Sequence, residues 1–500
     1  MKNSNIKIGF AIIIIVTLFG GCKPNASTEE ELLAVSSLPQ DAFQSCPLTT
    51  SQFNSWFVSG TATENGPVNA PTSVGLVHND NCDFYQWSAQ MFLWLTSSSP
   101  NAGTVMESPT FYTVSPKDSS GKRTLIPHVQ GQLMRAVSNV TKDGLIDSEE
   151  GQATDDVLMA KDGSLIYYIS MVNDVYAQFL TGVAAGKLSG GTFPTTPAEL
   201  AQIVAYAKAN GVTLNDANTL TMELKTSWVD ASTLADASDY ITINAIIPTY
   251  TKTATTWTQL NEKQATLALI GVHVVGSTAG HPEMVWATFE HKKNAPNSSY
   301  TYLDVNKNVK TVPADTGNDW VLNSNATDTT YNKSYMTYDS KNNSIVSKSG
   351  DSIRPSNTVR TKPWGVATDS IPNAEDVSVA ASNSEIISLN ASLQKMLVGN
   401  DIRKNYIFIG ATWTANGVAP NGKSYAPSNS VAGVAIGTSQ LANSTMETYA
   451  QNGTTYSQYG SCFACHNKNN SLTPGSLSHV FSDILPLAVN LQKSSPVKKE

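Results

Sequence analysis

The sequence predicts an α+β fold, a mainly antiparallel sheet with flanking helices and a short helical tail at the carboxyl end. Three observations predict it. The middle of the chain holds runs rich in Val, Ile, Thr and aromatic residues, punctuated by Gly, Pro, Asn or Asp. Segments with helical spacing lie before and after those runs. A hydrophobic fraction of 40% in 500 residues is enough for a large core.

The elements follow in order. Residues 82–96 read as a helix, with Phe84, Trp87, Met91, Trp94 and Leu95 near helical spacing, an aromatic stripe that fits core packing. Residues 170–181 and 198–209 are further helices, and Pro197 and Glu199 suit the first turn of the second. Strands are expected at 222–229, 240–247, 266–276, 283–291 and 406–414. Residues 304–350, dense in Asn, Asp, Thr, Ser and Lys, read as surface loops or a hairpin insertion. Helices return at 384–398 and 430–450. The last helix, from about Ser476, sets Leu477, Val480, Phe481, Ile484 and Leu485 on one face, and Pro486 bends or ends it. Length alone would allow about three domains. No long linker follows residue 45 and no repeat is visible, so one large domain, 46–450, with a tail, 451–500, is the expected division.

Composition excludes some partners. The net charge is −8 and no Lys/Arg cluster occurs, which argues against nucleic acid. Charged residues are only 14% of the chain, a neutral polar surface common in exported proteins.

The amino terminus points to export. Lys2 and Lys7 precede an apolar core at 8–19 that is too short to span a bilayer comfortably. Residues 1–21 thus read as a signal peptide. Leu18, Phe19, Gly20, Gly21 and Cys22 resemble a bacterial lipobox, with Phe19 in place of the usual Leu. The resemblance implies lipidation of Cys22, removal of 1–21, and a flexible tether over 22–45. Ordinary cleavage with a free Cys22, or an uncleaved anchor, are the alternatives.

The most specific motif is Cys462-Phe463-Ala464-Cys465-His466, the Cys-x-x-Cys-His attachment signature of a c-type haem. Each thiol can form a thioether to a haem vinyl group, and the adjacent imidazole serves as proximal iron ligand. With only five Cys and seven His in the chain, a chance match is on the order of one in a thousand. A zinc ribbon would need a second ligand pair, and no other close Cys pair exists. A thioredoxin-like pair would need a βαβ unit, and too few residues follow His466 for one. One covalent haem c is therefore expected. Cys22 for lipid and Cys462 and Cys465 for haem leave Cys46 and Cys82, which in an oxidising compartment should form a disulfide.

The sixth iron position decides the class of function, because a closed site suits electron transfer and an open one suits ligand binding or catalysis. No Met follows Cys465. His479 is one candidate distal ligand, although a helical wheel sets it opposite the Leu477 face. Met446 is the second, with core packing as its ordinary fate. His273, His281 and His291 cannot share one metal if residues 277–280 form a hairpin turn, which would set His273 opposite Met284. Any one of them could face the haem as a distal group or an acid/base. His78 and His128 carry no supporting context.

Four blocks together resemble a group of bacterial exported cytochrome c family proteins with a large amino-terminal region and one haem motif near the carboxyl end. They are residues 81–87 (Asn-Cys-Asp-Phe-Tyr-Gln-Trp), 281–291 (His-Pro-Glu-Met-Val-Trp-Ala-Thr-Phe-Glu-His), 441–448 (Leu-Ala-Asn-Ser-Thr-Met-Glu-Thr), and 462–466 followed by Leu477-Ser478-His479. The likeness runs from about residue 46 to the end. It implies haem binding and redox activity, and no substrate. The expected role is a lipid-anchored mono-haem c-type cytochrome in electron transfer outside the cytoplasm. It would face the periplasm or cell exterior and serve a redox partner protein or a small-molecule donor or acceptor. A haem enzyme (peroxidase or oxygenase) with an open distal site, and a haem-bearing surface binding module, stay open, because the domain is larger than a carrier needs.

Overall fold

The structure, a computed structural model, describes residues 38–100, 102–129, 133–136, 156–326, 328–339, 341–348, 352–365, 378–424, 432–448, 462–467 and 470–488. Residues 1–37, with the signal segment, Cys22 and most of the tether, lie outside the described residues.

The main sheet contains β1 (Phe111–Val114), β2 (Leu125–Pro127), β3 (Tyr167–Asn173), β4 (Met222–Asp230), β5 (Thr242–Lys252), β6 (Thr256–Thr278), β7 (His281–His291), β8 (Tyr406–Thr414) and β9 (Ala435–Gly437). Across it the order is β9-β8-β7-β6-β4-β3-β1-β2, and each of these neighbours is antiparallel. The first half of β6 leaves this path and pairs with β5, from Trp257 opposite Lys252 to Ala268 opposite Thr242. That half is mostly exposed, with Trp257 and Ala265 buried, whereas the second half is almost wholly buried. Burial on both faces explains the unbroken apolar reading of β8, all of whose residues are buried.

Helices cover both faces. On one side lie α1 (Asn81–Leu95) and α4 (Val379–Met396). Phe92 of α1 stacks on Phe289 of β7 with centroids 4.4 Å apart, and Phe84 stacks on Trp413 of β8 at 4.2 Å. From α4, Asn390 pairs with both backbone groups of Phe408 at 2.8 Å. On the other side lie α2 (Asp174–Ala184), α3 (Pro197–Ala209) and the segment around α5 (Pro474–Leu477). There Phe463, Leu477, Val480 and Ile484 are buried against Val114, Val275 and Trp286 of the sheet and Tyr176 of α2. The result is three layers with the sheet in the middle. The disulfide Cys46–Cys82 joins the start of the domain to α1, with Cα atoms 5.5 Å apart.

Sequence and structure agree on α1, α3, β4 and β8 within a residue or two, and on the short strands among loops in the 304–350 region. Thr196 caps α3 through a capping box with Glu199, and Pro197 opens it. Other expectations change: the strand expected at 266–276 is the second half of β6, which starts at Thr256, and the helix expected at 384–398 is α4, which starts at Val379. The helix expected at 170–181 is strand β3 up to Asn173, whose side chain accepts from Tyr176 N–H and starts α2; its continuous apolar run does not separate a buried strand from a helix. The strand expected at 240–247 starts two residues later and runs on to Lys252. Residues 432–447 hold β9 and turns rather than helix, because Asn443 bonds the local backbone and hydroxyl of Thr445. The helix expected from Ser476 is one turn, α5, because the Ser478 hydroxyl takes the N–H groups of Val480 and Phe481. The β6–β7 turn lies later than expected, and His273 faces Thr288 instead of Met284.

The carboxyl segment is also built into the layers. Arg123, fully buried, donates its N–H to Asp483 carbonyl at 2.9 Å, and Lys117 pairs with Asp483 at 2.9 Å. Described residues 462–467 and 470–488 thus share a core with the sheet.

Candidate haem site

Antiparallel register sets side chains in rows across the sheet. On the face under the carboxyl segment, one row runs Ser170, Lys225, His273, Thr288, and the next runs Val172, Glu223, Val275, Trp286. Polar groups in the middle of a covered sheet need partners or a cavity. Here they border a cleft with about 1050 Å³ of free space when its open side is counted. Cys462, Cys465, His466 and His479 line the opposite wall.

The motif residues converge through one short turn. Cys462–Ala464 form a single 3-10 turn, and His466 N–H donates to Cys462 carbonyl at 3.0 Å. Both cysteines border the cleft and neither is in a disulfide, while Phe463 between them is buried against Trp286. Burial pushes the Cys462 thiol up, so it stays protonated. His466 Nδ1–H donates to Leu477 carbonyl at 2.8 Å, which fixes the tautomer and leaves Nε2 as the lone-pair nitrogen. Burial, with His479 beside it, holds the imidazole well below its usual range and hence neutral, the form that binds metal. Trp286 packs on this ring with centroids 4.3 Å apart. Two thiols, a neutral and oriented imidazole, and apolar walls from Val114, Val275 and Val480 fit the demands of a covalent haem.

The loop 441–448 closes the cleft beside His273. Asn443 donates its side-chain N–H to Thr288 Oγ1 at 2.9 Å, Ser444 N–H donates to Glu290 at 2.7 Å, and Tyr168 O–H donates to Thr445 carbonyl at 2.8 Å. Glu290 is buried and paired with Arg360 at 3.0 Å. This anchoring delivers Glu447 to His273, with Oε1 on Nε2, while its other oxygen accepts from Asn443 N–H at 3.0 Å. Burial alone would raise Glu447; the charge and hydrogen bond of His273, then Lys225 and the Asn443 N–H, bring it down to about 2. Glu223 accepts from Tyr176 O–H at 2.6 Å, and burial pushes its carboxyl up.

Neither candidate distal ligand stands across the cleft from His466. His479 stacks on His466, with centroids 4.0 Å apart and planes 15° from parallel, and its Nε2 donates to Cys465 carbonyl at 3.2 Å. Axial imidazoles on one iron face each other across the porphyrin, and no porphyrin fits between rings stacked this closely. Met446 is fully buried among Tyr168, Val229, Ile270 and Leu322, away from the cleft lining. Among the described residues no group of three or more His, Cys, Asp or Glu is arranged to hold a metal ion. His281 pairs with buried Glu283 at 2.7 Å and packs edge-on to His78. His291 stacks on Tyr240 at 3.8 Å, and His128 shares a hydrogen bond with Thr113 at 2.8 Å.

Sequence reasoning missed Lys225, Glu223, Trp286 and Glu447 as cleft residues. A polar residue at every second position of an otherwise apolar strand was the available signal for Glu223 and Lys225. Glu447 lay in the 441–448 block, but nothing tied it to a partner 174 positions away. The chain matches no protein family, no curated protein and no solved structure.

Proposed function

We propose that the chain is an exported, lipid-anchored mono-haem protein of the c type that transfers electrons outside the cytoplasm. One observation carries this reading: Cys462, Cys465 and His466 meet at one cleft, with His466 held by its Nδ1–H so that Nε2 would be the coordinating nitrogen. Attachment would add each S–H across a vinyl double bond, forming C–S and C–H bonds with no net oxidation. Bound there, the haem supplies a one-electron iron couple. Trp286, itself packed by Phe463, would hold the proximal imidazole, and the apolar walls would lower the local dielectric around the iron. The acyl anchor at Cys22 would keep the protein at a membrane; among the described residues no helix is long and apolar enough to cross one.

Expression with its own leader in a host able to mature c-type cytochromes tests the reading. A red protein is expected, with the mass of one haem added and one reversible reduction step. Replacing both cysteines, C462A/C465A, should leave a chain that loses its colour in denaturant. A colourless native product of unmodified mass refutes the assignment.

A further inference from the structure

We propose that the sheet wall of the cleft is a binding site for a small anionic or polarised ligand at the iron, with His273 as its hydrogen-bonding group and Glu447 as the residue that positions it. This rests on the covalent haem proposed above. Neither candidate protein ligand stands across from His466: His479 is stacked on it with Nε2 committed to the Cys465 carbonyl, and Met446 is sealed in an apolar cluster. The sheet wall, otherwise largely apolar, does carry polar groups. His273 lies directly opposite Lys225 in the β4–β6 register, and both border the cleft.

Glu447 makes His273 specific. It takes the Nε2–H of the imidazole and is itself held by Asn443 N–H, on a loop that Asn443 and Ser444 tie to β7. With Nε2 given to Glu447, Nδ1 is the ring nitrogen left to hydrogen-bond a ligand. A hydrogen-bonding ring nitrogen and an ammonium group beside a haem iron would favour ligands that carry negative charge, such as azide, cyanide or hydroperoxide, or that become polarised on binding. A simple carrier needs no such wall.

The experiment uses the full haem-loaded protein and its H273Q, E447Q and M446L variants, each first assayed for haem content. Azide is titrated into the ferric form, and the carbon monoxide stretching frequency is recorded in the ferrous form. Native protein is expected to bind both. H273Q should bind azide about tenfold more weakly, the loss of one hydrogen bond, and should shift the stretch. E447Q should shift it in the same direction by less, and M446L should match native protein. Native protein that binds neither ligand overturns the proposal, as does H273Q protein with unchanged affinity and frequency. A native product without haem overturns the underlying assignment itself, and the inference with it.

Discussion

Single residues in this protein carry charges into places that water does not reach. Glu290 and Arg360, both nearly inaccessible, form a pair on β7 that also receives Ser444. R360M leaves that carboxylate without its counter-charge, and about 3–5 kcal/mol of stability should be lost in a denaturant titration. Asp174, the first residue of α2, behaves differently. Burial, and then the charge of Asp216, raise its carboxyl from 3.8 to about 7 against hydrogen bonds from backbone N–H groups. Between those values the unfolded chain gives up the proton while the folded chain keeps it. Its contribution is therefore complete below pH 3.8 and declines towards pH 7, by at most about 1.4 kcal/mol per pH unit. The D174N protein should show a flatter stability profile over that interval. Nothing in the local sequence around Asp174 announced this, because the shift depends on what packs over it.

At the scale of elements, the cleft exists because a loop crosses a sheet at a glycine. A Cβ on Gly271 of β6 would meet Ser227 Oγ at 2.7 Å, Thr445 Oγ1 at 2.7 Å and the Asn443 side-chain nitrogen at 2.9 Å. G271A should therefore push the 441–448 loop off the sheet, costing about 1–3 kcal/mol and separating Glu447 from His273. Thermal unfolding and the histidine resonances of the variant would report both effects. Elements with a single strong pattern were legible beforehand: α1 from its aromatic stripe, α3 from Pro197 and Glu199 in its first turn, β8 from its β-branched and aromatic run. Where two structures share one pattern, as in the apolar stretch through Tyr167–Asn173 and α2, the boundary depended on the Asn173 cap.

For the whole molecule, the carboxyl segment is a structural layer. A chain ending at residue 461 would uncover Val114, Tyr176, Val275 and Trp286, the side chains that Phe463, Leu477, Val480 and Ile484 cover. It should bind a hydrophobic dye and unfold at lower temperature than the full chain. The disulfide is the second global tie, closing a separation of 36 residues. Chain entropy gives it about 4 kcal/mol, so C46S/C82S protein should lose roughly that amount in equilibrium unfolding, with the Cys462/Cys465 wall of the cleft intact.

By itself the sequence determined the chemistry on offer: two thiols and an imidazole at haem spacing, two further cysteines able to pair, and strands and helices enough for a covered antiparallel sheet. These are local properties, set by spacing and residue type along a few positions. Tertiary structure alone decided what faces the motif. Strand register placed Lys225 beside His273, the 441–448 loop brought Glu447 to it, and the single turn after Thr473 stacked His479 on His466 instead of across from it. Such contacts join positions far apart in the chain, and they depend on how the layers pack.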